Sequence, residues 1–127
     1  MNKLKIYIEH DFANWNSYIN LERSNKFAAN SLKQRENKIV RYFTVGKRFE
    51  GKYPVKIEFT KYFKDKRQDL DNTRLKSILD GLVKNGVIKN DNLNCIQEIV
   101  LKPKFDKTKK GIEIEISEAT NDQTDKA

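Results

Sequence analysis

Asp69-Leu70-Asp71-Asn72 sets two carboxylates at i and i+2, and Lys76, Asp80 and Asp91 follow close behind. In extended chain, side chains two residues apart point to the same side, so Asp69 and Asp71 are expected to act together. Carboxylates at 69, 71 and 91 offer hard oxygen donors with no soft competitor, a donor set that favours Mg2+ or Mn2+ over zinc. Such an ion positions a water, lowers its pKa and neutralises charge building on a phosphodiester. Lys76 can steady the same negative charge. The residues also have a plainer reading. Asp-x-Asp-Asn ahead of a helix caps it and places acids at the positive end of its dipole. Asp80 can simply pair with Lys76 or Lys84 along the helix.

The elements around the motif must hold it in place. Residues 73–85 carry apolar side chains at 75, 78, 79, 82 and 83, a stripe of helical period, and Gly86 suits the left-handed residue that ends a helix. Beyond it a turn through Asn90 carries Asp91. Ahead of the motif, residues 53–62 alternate as a strand with Val55, Ile57 and Phe59 inward, then enter the basic connector Lys64-Asp65-Lys66-Arg67. Residues 3–9 are expected to form a first strand, and residues 11–20 an aromatic, asparagine-rich connector. Its Phe12, Trp15 and Tyr18 can stack on bases or wedge into a distorted duplex, or fold back as a satellite core. One long helix is predicted over about 21–43, buried along Ala28, Leu32, Ile39 and Phe43, and a loop over 44–52. Residues 93–101 read as a strand, 102–110 as a basic turn containing Pro103, and 111–117 as a last strand with Ile112, Ile114 and Ile116 inward. The expected class is α+β: a mixed β-sheet with helices on one face, in the order β-α-β-α-β-β. Residues 1–117 are expected to form one domain, and 118–127 a polar, disordered tail.

Composition narrows the function classes. The 127 residues carry a net charge of +8, with 35% charged and 37% hydrophobic side chains. A basic chain of this size suits a polyanion, and nucleic acid is the commonest one. Lys64, Lys66, Arg67, Lys102 and Lys104 are the candidate DNA contacts. No apolar run reaches the ~20 residues of a membrane span, and the first residues lack the apolar segment of a secretory signal. His10 is the one histidine, so no multi-histidine metal site is available, and it is read as an exposed strand-end residue. Cys95 is the one cysteine, read as a small core residue in a reducing cytoplasm.

Taken whole, Asp69-x-Asp71-Asn72, Lys76-x-x-x-Asp80-Gly81-Leu82, Gly86 and Asn90-Asp91 resembles the RusA family of Holliday junction resolvases. A Pro-Val-Lys-Ile strand leading into the motif and a Gly-started strand closing the domain extend the resemblance. It covers about residues 3–117 and is strongest over 53–92. It implies a RusA-like fold and a homodimeric, magnesium-dependent endonuclease that resolves four-way DNA junctions by paired nicks. Recombination and repair are the setting, often in a phage or prophage, so the protein would work at the nucleoid or in a phage-infected cell. Asp69, Asp71 and Asp91 then become catalytic metal ligands, and Lys76 the functional lysine. Lys76 falls one residue later than in the family pattern, and Asn90 stands where many members carry an acid. Two other readings stay open: a non-catalytic nucleic-acid-binding protein whose acids only cap, and a nuclease for flaps or forks.

Overall fold

The computed structural model describes residues 2–67 and 69–119. Alternating sequence becomes strand wherever expected: β1 (Lys3–Ile8), β2 (Val55–Phe63), β3 (Ile96–Phe105) and β4 (Ile112–Glu118). They form one mixed sheet in the order β1-β4-β2-β3. β4 runs antiparallel to both β1 and β2, and β3 is parallel to β2. The parallel pair needs a crossover, and α3 (Leu75–Lys84) lies in that connection. With α1 (Trp15–Ser24) and α2 (Lys26–Thr44) it covers one face of the sheet. Ile6, Ile8, Val55, Ile57, Phe59, Ile112, Ile114 and Ile116 point into that layer and meet Val40, Ile78, Leu79 and Leu82 of the helices. The other face carries Lys5, Glu58, Lys102 and Glu115 in partly exposed ion pairs. The fold is α+β, a mixed four-stranded sheet with helices on one face. Among the described residues no helix is long and apolar enough to cross a membrane.

Several expectations about local structure are corrected. The connector over 11–20 and the single helix over 21–43 are in fact two helices that meet at Asn25, whose backbone is extended. The Asn14 side chain accepts from Ser17 N–H, and the Asn25 side chain accepts from Ala28 N–H, so each asparagine starts a helix. The buried stripe of α2 is also turned by one residue: Ala29, Glu36, Val40 and Thr44 are the enclosed positions. One residue is about 100° of helix. A buried glutamate drives the change, and its partner is described below.

At the motif, Asp69 is extended but Leu70–Asn72 form one turn of 3-10 helix, so the two acids do not share a strand face. Asn72 does not cap α3. Its side-chain oxygen accepts from Asn16 N–H instead, at 3.1 Å. Arg74 occupies the cap position without a side-chain hydrogen bond to the helix. Finally, β3 starts at Ile96 and runs to Phe105, which makes Lys102, Pro103 and Lys104 strand residues rather than part of a turn. The turn that follows closes on Asp106, whose carboxylate accepts from the Thr108 and Lys109 amides. Glu118, expected in the tail, ends β4 and accepts from Lys52 N–H. Residues 120–127 of that expected tail lie outside the described residues.

Gly111 shows how tightly β4 begins. Its φ is +105°, and a Cβ there would run into the Ile8 carbonyl oxygen. Gly46 also has positive φ, at +73°, but nothing lies within 4 Å of where its Cβ would be. Gly111→Ala should therefore cost at least ~2 kcal/mol, from left-handed strain plus displaced backbone, and Gly46→Ala only ~1 kcal/mol. Urea unfolding of the two variants checks this, and equal losses would contradict the clash at Ile8.

Candidate active site

Glu36 and Arg74 form the floor of the region. Their side chains are 1% and 2% exposed, and Arg74 Nη1 lies 2.9 Å from Glu36 Oε1 and 2.9 Å from Oε2. Two buried charges survive only if their remaining hydrogen-bonding capacity is used. Ser77 Oγ donates to Glu36 Oε1, Ala13 N–H donates to Oε2, and Arg74 Nη1 donates to the Ala13 carbonyl. The guanidinium carbon lies 4.3 Å from the Tyr18 ring centre and 5.7 Å from that of Trp15. Arg74 Nε is buried with no partner among the described residues. This network joins α2, the start of α3 and the 11–16 segment into one block.

Two clefts open on either side of Arg74. The first, about 340 Å³, lies between the 11–14 segment, the end of β2 and the entrance to α3. Lys61, Lys64, Arg74, Lys109 and Lys110 line it, together with Asp11 and Asp69. Cations outnumber acids along this lining, although Lys61 pairs with Asp11 and Lys109 with Glu113, and the start of α3, which has no side-chain cap, adds to the positive field. The second, about 530 Å³, runs between the three helices and is lined by Trp15, Tyr18, Lys33, Lys76, Asp80 and Asp91.

The sequence candidates are thus divided. Asp69 is exposed at the first cleft, and Asp71 is exposed on the adjoining 3-10 turn but lines neither cleft. Lys76, Asp80 and Asp91 do come together in the second cleft. Lys76 Nζ is 3.7 Å from Asp80 Oδ1, the one-turn pair that the spacing allowed. The Asn90 side-chain oxygen accepts from Asp91 N–H. Among the described residues no three histidine, cysteine, aspartate or glutamate side chains gather closely enough to hold a metal by themselves. A magnesium ion that takes one or two carboxylates and completes its shell with water and substrate phosphate would not need three acids. Asp69, which lines the first cleft, and Asp71, two residues on, are both exposed. Asp91 lies apart from them.

The basic candidates also divide. Lys64 lines the first cleft. Arg67 is tied to Asp65 at 2.7 Å, and that hydrogen bond holds the Asp65 carboxyl down at about 2. Lys66 lies over the Phe105 ring. Lys102 pairs with Glu58, and Lys104 lies over Tyr62, both on the sheet face away from the helices. Lys61, Lys109 and Lys110 of the first cleft were missed. Lys109 sits over the rings of Tyr7 and Tyr62 and pairs with Glu113, so it braces the turn as well. Of the aromatics, Tyr18 is buried, whereas Phe12 and Trp15 remain half-exposed at the first and second clefts. His10, expected to be exposed, is half-buried with its ring edge-on to Phe12, and burial pushes its pKa down. Cys95 is half-buried and packs against the core.

Glu36 and Arg74 were missed as well. The available signal was an acid amid the apolar side of α2, paired with an arginine where the helix should have a cap. The chain matches no protein-family model, and no curated protein matches it significantly.

Removing one member of the pair strands the other in the interior. Glu36→Ala should destabilise the protein by about 3–5 kcal/mol, while Asp80→Asn, which breaks a solvent-exposed pair, should cost under ~1 kcal/mol. Chemical denaturation of both variants checks the contrast. A Glu36→Ala loss as small as that of Asp80→Asn would mean that the pair does not organise the site.

Proposed function

We propose that this chain is a metal-dependent, structure-selective endodeoxyribonuclease that resolves four-way DNA junctions by paired phosphodiester hydrolysis, in recombination or repair. The observation that supports it best is the first cleft. An exposed carboxylate, Asp69, stands at the mouth of a basic cleft beside an uncapped helix start, with Asp71 on the next turn. A protein that only binds DNA backbone gains nothing from acids placed where phosphate approaches. The RusA-like order of acids and lysine along the chain is the second support.

In this reading each part of the site has a separate duty. Lys64 and Lys110 neutralise backbone phosphates and fix the register of the duplex without reading sequence. The first N–H groups of α3 draw one phosphate toward Asp69. Asp69 and Asp71 would hold Mg2+ or Mn2+, which would supply an activated water and offset charge on the phosphate. Asp91 and Lys76 act from the second cleft, on the far side of Arg74. Phe12 and Trp15 are the aromatics left accessible to unstacked bases at a branch point. Two matched cuts need two acid clusters, and a twofold pair of chains provides them. The reading places the protein in the cytoplasm, at the nucleoid or in a phage-infected cell.

A second reading has one observation in its favour: the separation of Asp69 from Asp91 suits a nucleic-acid-binding protein that does not cut. The separation of cutting from binding decides between them. Asp71→Asn should abolish cleavage of a junction in magnesium while leaving affinity for it unchanged or higher, because binding rests on cations and the lost charge is a metal ligand. Lys110→Ala should do the reverse, keeping the chemistry but lowering the log–log salt slope of binding by about 0.9 for the one phosphate released. Near-normal cleavage by Asp71→Asn would sink the metal-site assignment.

A further inference from the structure

Among the described residues β3 is an edge strand, hydrogen-bonded to β2 alone. Its backbone directions follow from the bonds at its ends. Val55 N–H donates to Cys95 O, and Asp106 N–H donates to Phe63 O. Bonding direction alternates residue by residue along a parallel ladder. With Ile57 opposite Ile99 and Phe59 opposite Leu101, Glu98, Val100, Lys102 and Lys104 turn their peptide groups toward β2. Ile99, Leu101, Pro103 and Phe105 turn theirs outward. Pro103, which has no N–H to donate, falls at an outward position, where a sheet tolerates it. The same four residues point their side chains to the helix side, in line with Ile57 and Phe59. The helices do not reach that far. Ile99 is 44% exposed and Phe105 is 49% exposed. An unpaired edge with an uncovered apolar stripe is a template for another strand.

The charges on the other face say which strand. Glu98 and Lys104 stand at equal distances from Leu101 on the chain and on the same face, with Lys102 already held by Glu58. We propose that β3 pairs antiparallel with β3 of a second copy of this chain, about a twofold axis at Leu101. In that register each Glu98 faces Lys104 of the second copy. Each Ile99 faces Pro103 of the second copy, and the two Leu101 residues face each other. Opposite charges directly across an antiparallel pair stabilise it, and like charges oppose it. A foreign strand would gain nothing from this symmetry. Each Pro103 leaves one hydrogen bond unmade, and the rest of the outward peptide groups find partners. The product is a continuous sheet ordered β1-β4-β2-β3-β3-β2-β4-β1, with the basic clefts at opposite ends. This deepens the dimer required by the proposed function but stands apart from its chemistry.

The test is a charge-reversal cycle read by sedimentation equilibrium of the full chain at micromolar concentration, without DNA. Glu98→Lys alone and Lys104→Glu alone should each weaken the dimer on the order of tenfold, since each change creates two like-charge pairs per dimer. The double variant should regain wild-type dimerisation. Leu101→Cys in a Cys95→Ser background should form a disulfide-linked dimer on oxidation, because directly opposed hydrogen-bonded residues sit about 5.5 Å apart at Cα. A monomeric wild type, single variants that dimerise normally, or a double variant that stays weak would each overturn the proposal. So would an edge that responds only to an added peptide of unrelated sequence. Normal junction cleavage by a chain that fails this cycle would place the interface elsewhere and leave the nuclease reading intact. An intact cycle without cleavage would do the opposite.

Discussion

The fold around the site depends on one buried ion pair. Burying Glu36 and Arg74 costs several kcal/mol of desolvation for each charge, and the pair persists because other groups complete it. The Ala13 backbone and Ser77 hydroxyl satisfy Glu36, and the rings of Tyr18 and Trp15 cover the guanidinium. Pair and partners together come from three separate stretches of chain, 13–18, α2 and 74–77, so the pair sets their relative positions. It also fixes where α3 begins. Arg74 stands at the cap position, and a guanidinium has no acceptor to offer, so the start of α3 has no side-chain cap; the Leu75 N–H donates to the Thr73 carbonyl instead.

That arrangement explains the electrostatics of the first cleft. Lys61, Lys64, Lys109 and Lys110 surround an opening whose floor is a cation already neutralised by Glu36. Lys61 pairs with Asp11 and Lys109 with Glu113, so Lys64 and Lys110 are the exposed lysines of that lining that can meet a phosphate. Asp69 stands at the rim of that field and Asp71 just outside it. In the nuclease reading this is an economical division: the lysines bring in the polyanion, and the acids at the rim gather the ion that the anion helps to hold. The second cleft, with Lys76, Asp80 and Asp91, shares Arg74 as its wall, so a change at the pair reaches both.

Much of the fold was legible in the sequence because period-two alternation suits a half-buried strand and little else. Residues 53–62 and 111–117 read as strands from their valines, isoleucines and phenylalanines, and the inward set matched in β2 and β4. α3 was legible from its 3.6-residue period, with Ile78, Leu79 and Leu82 buried and Gly86 at φ +74° after it. What failed was polar. Asn14, Asn25 and Asn72 look alike in sequence, yet two of them cap helices and the third holds a neighbouring helix start. Glu36 was invisible because an acid on a helix is usually solvated, and its partner lies far along the chain. Reading Asp69 and Asp71 as an extended pair failed because the 3-10 turn at Leu70–Asn72 is clamped to α1 through Asn16, a long-range contact that no local pattern reports. The Lys76–Asp80 pair was legible, because it spans one turn of helix, whereas Asp91 was expected with Asp69 and Asp71 and lines the second cleft instead.

In the proposed reading these acids cut DNA, and they cut branched DNA in preference to linear. The most direct measurement incubates the purified chain with a four-way junction, a flap and a linear duplex of matched sequence, each with Mg2+ or with EDTA, and maps the breaks. Two symmetry-related nicks in the junction, no product with EDTA, and little cutting of the linear duplex are the predicted result. Tight junction binding with no cleavage in Mg2+ or Mn2+ would contradict it.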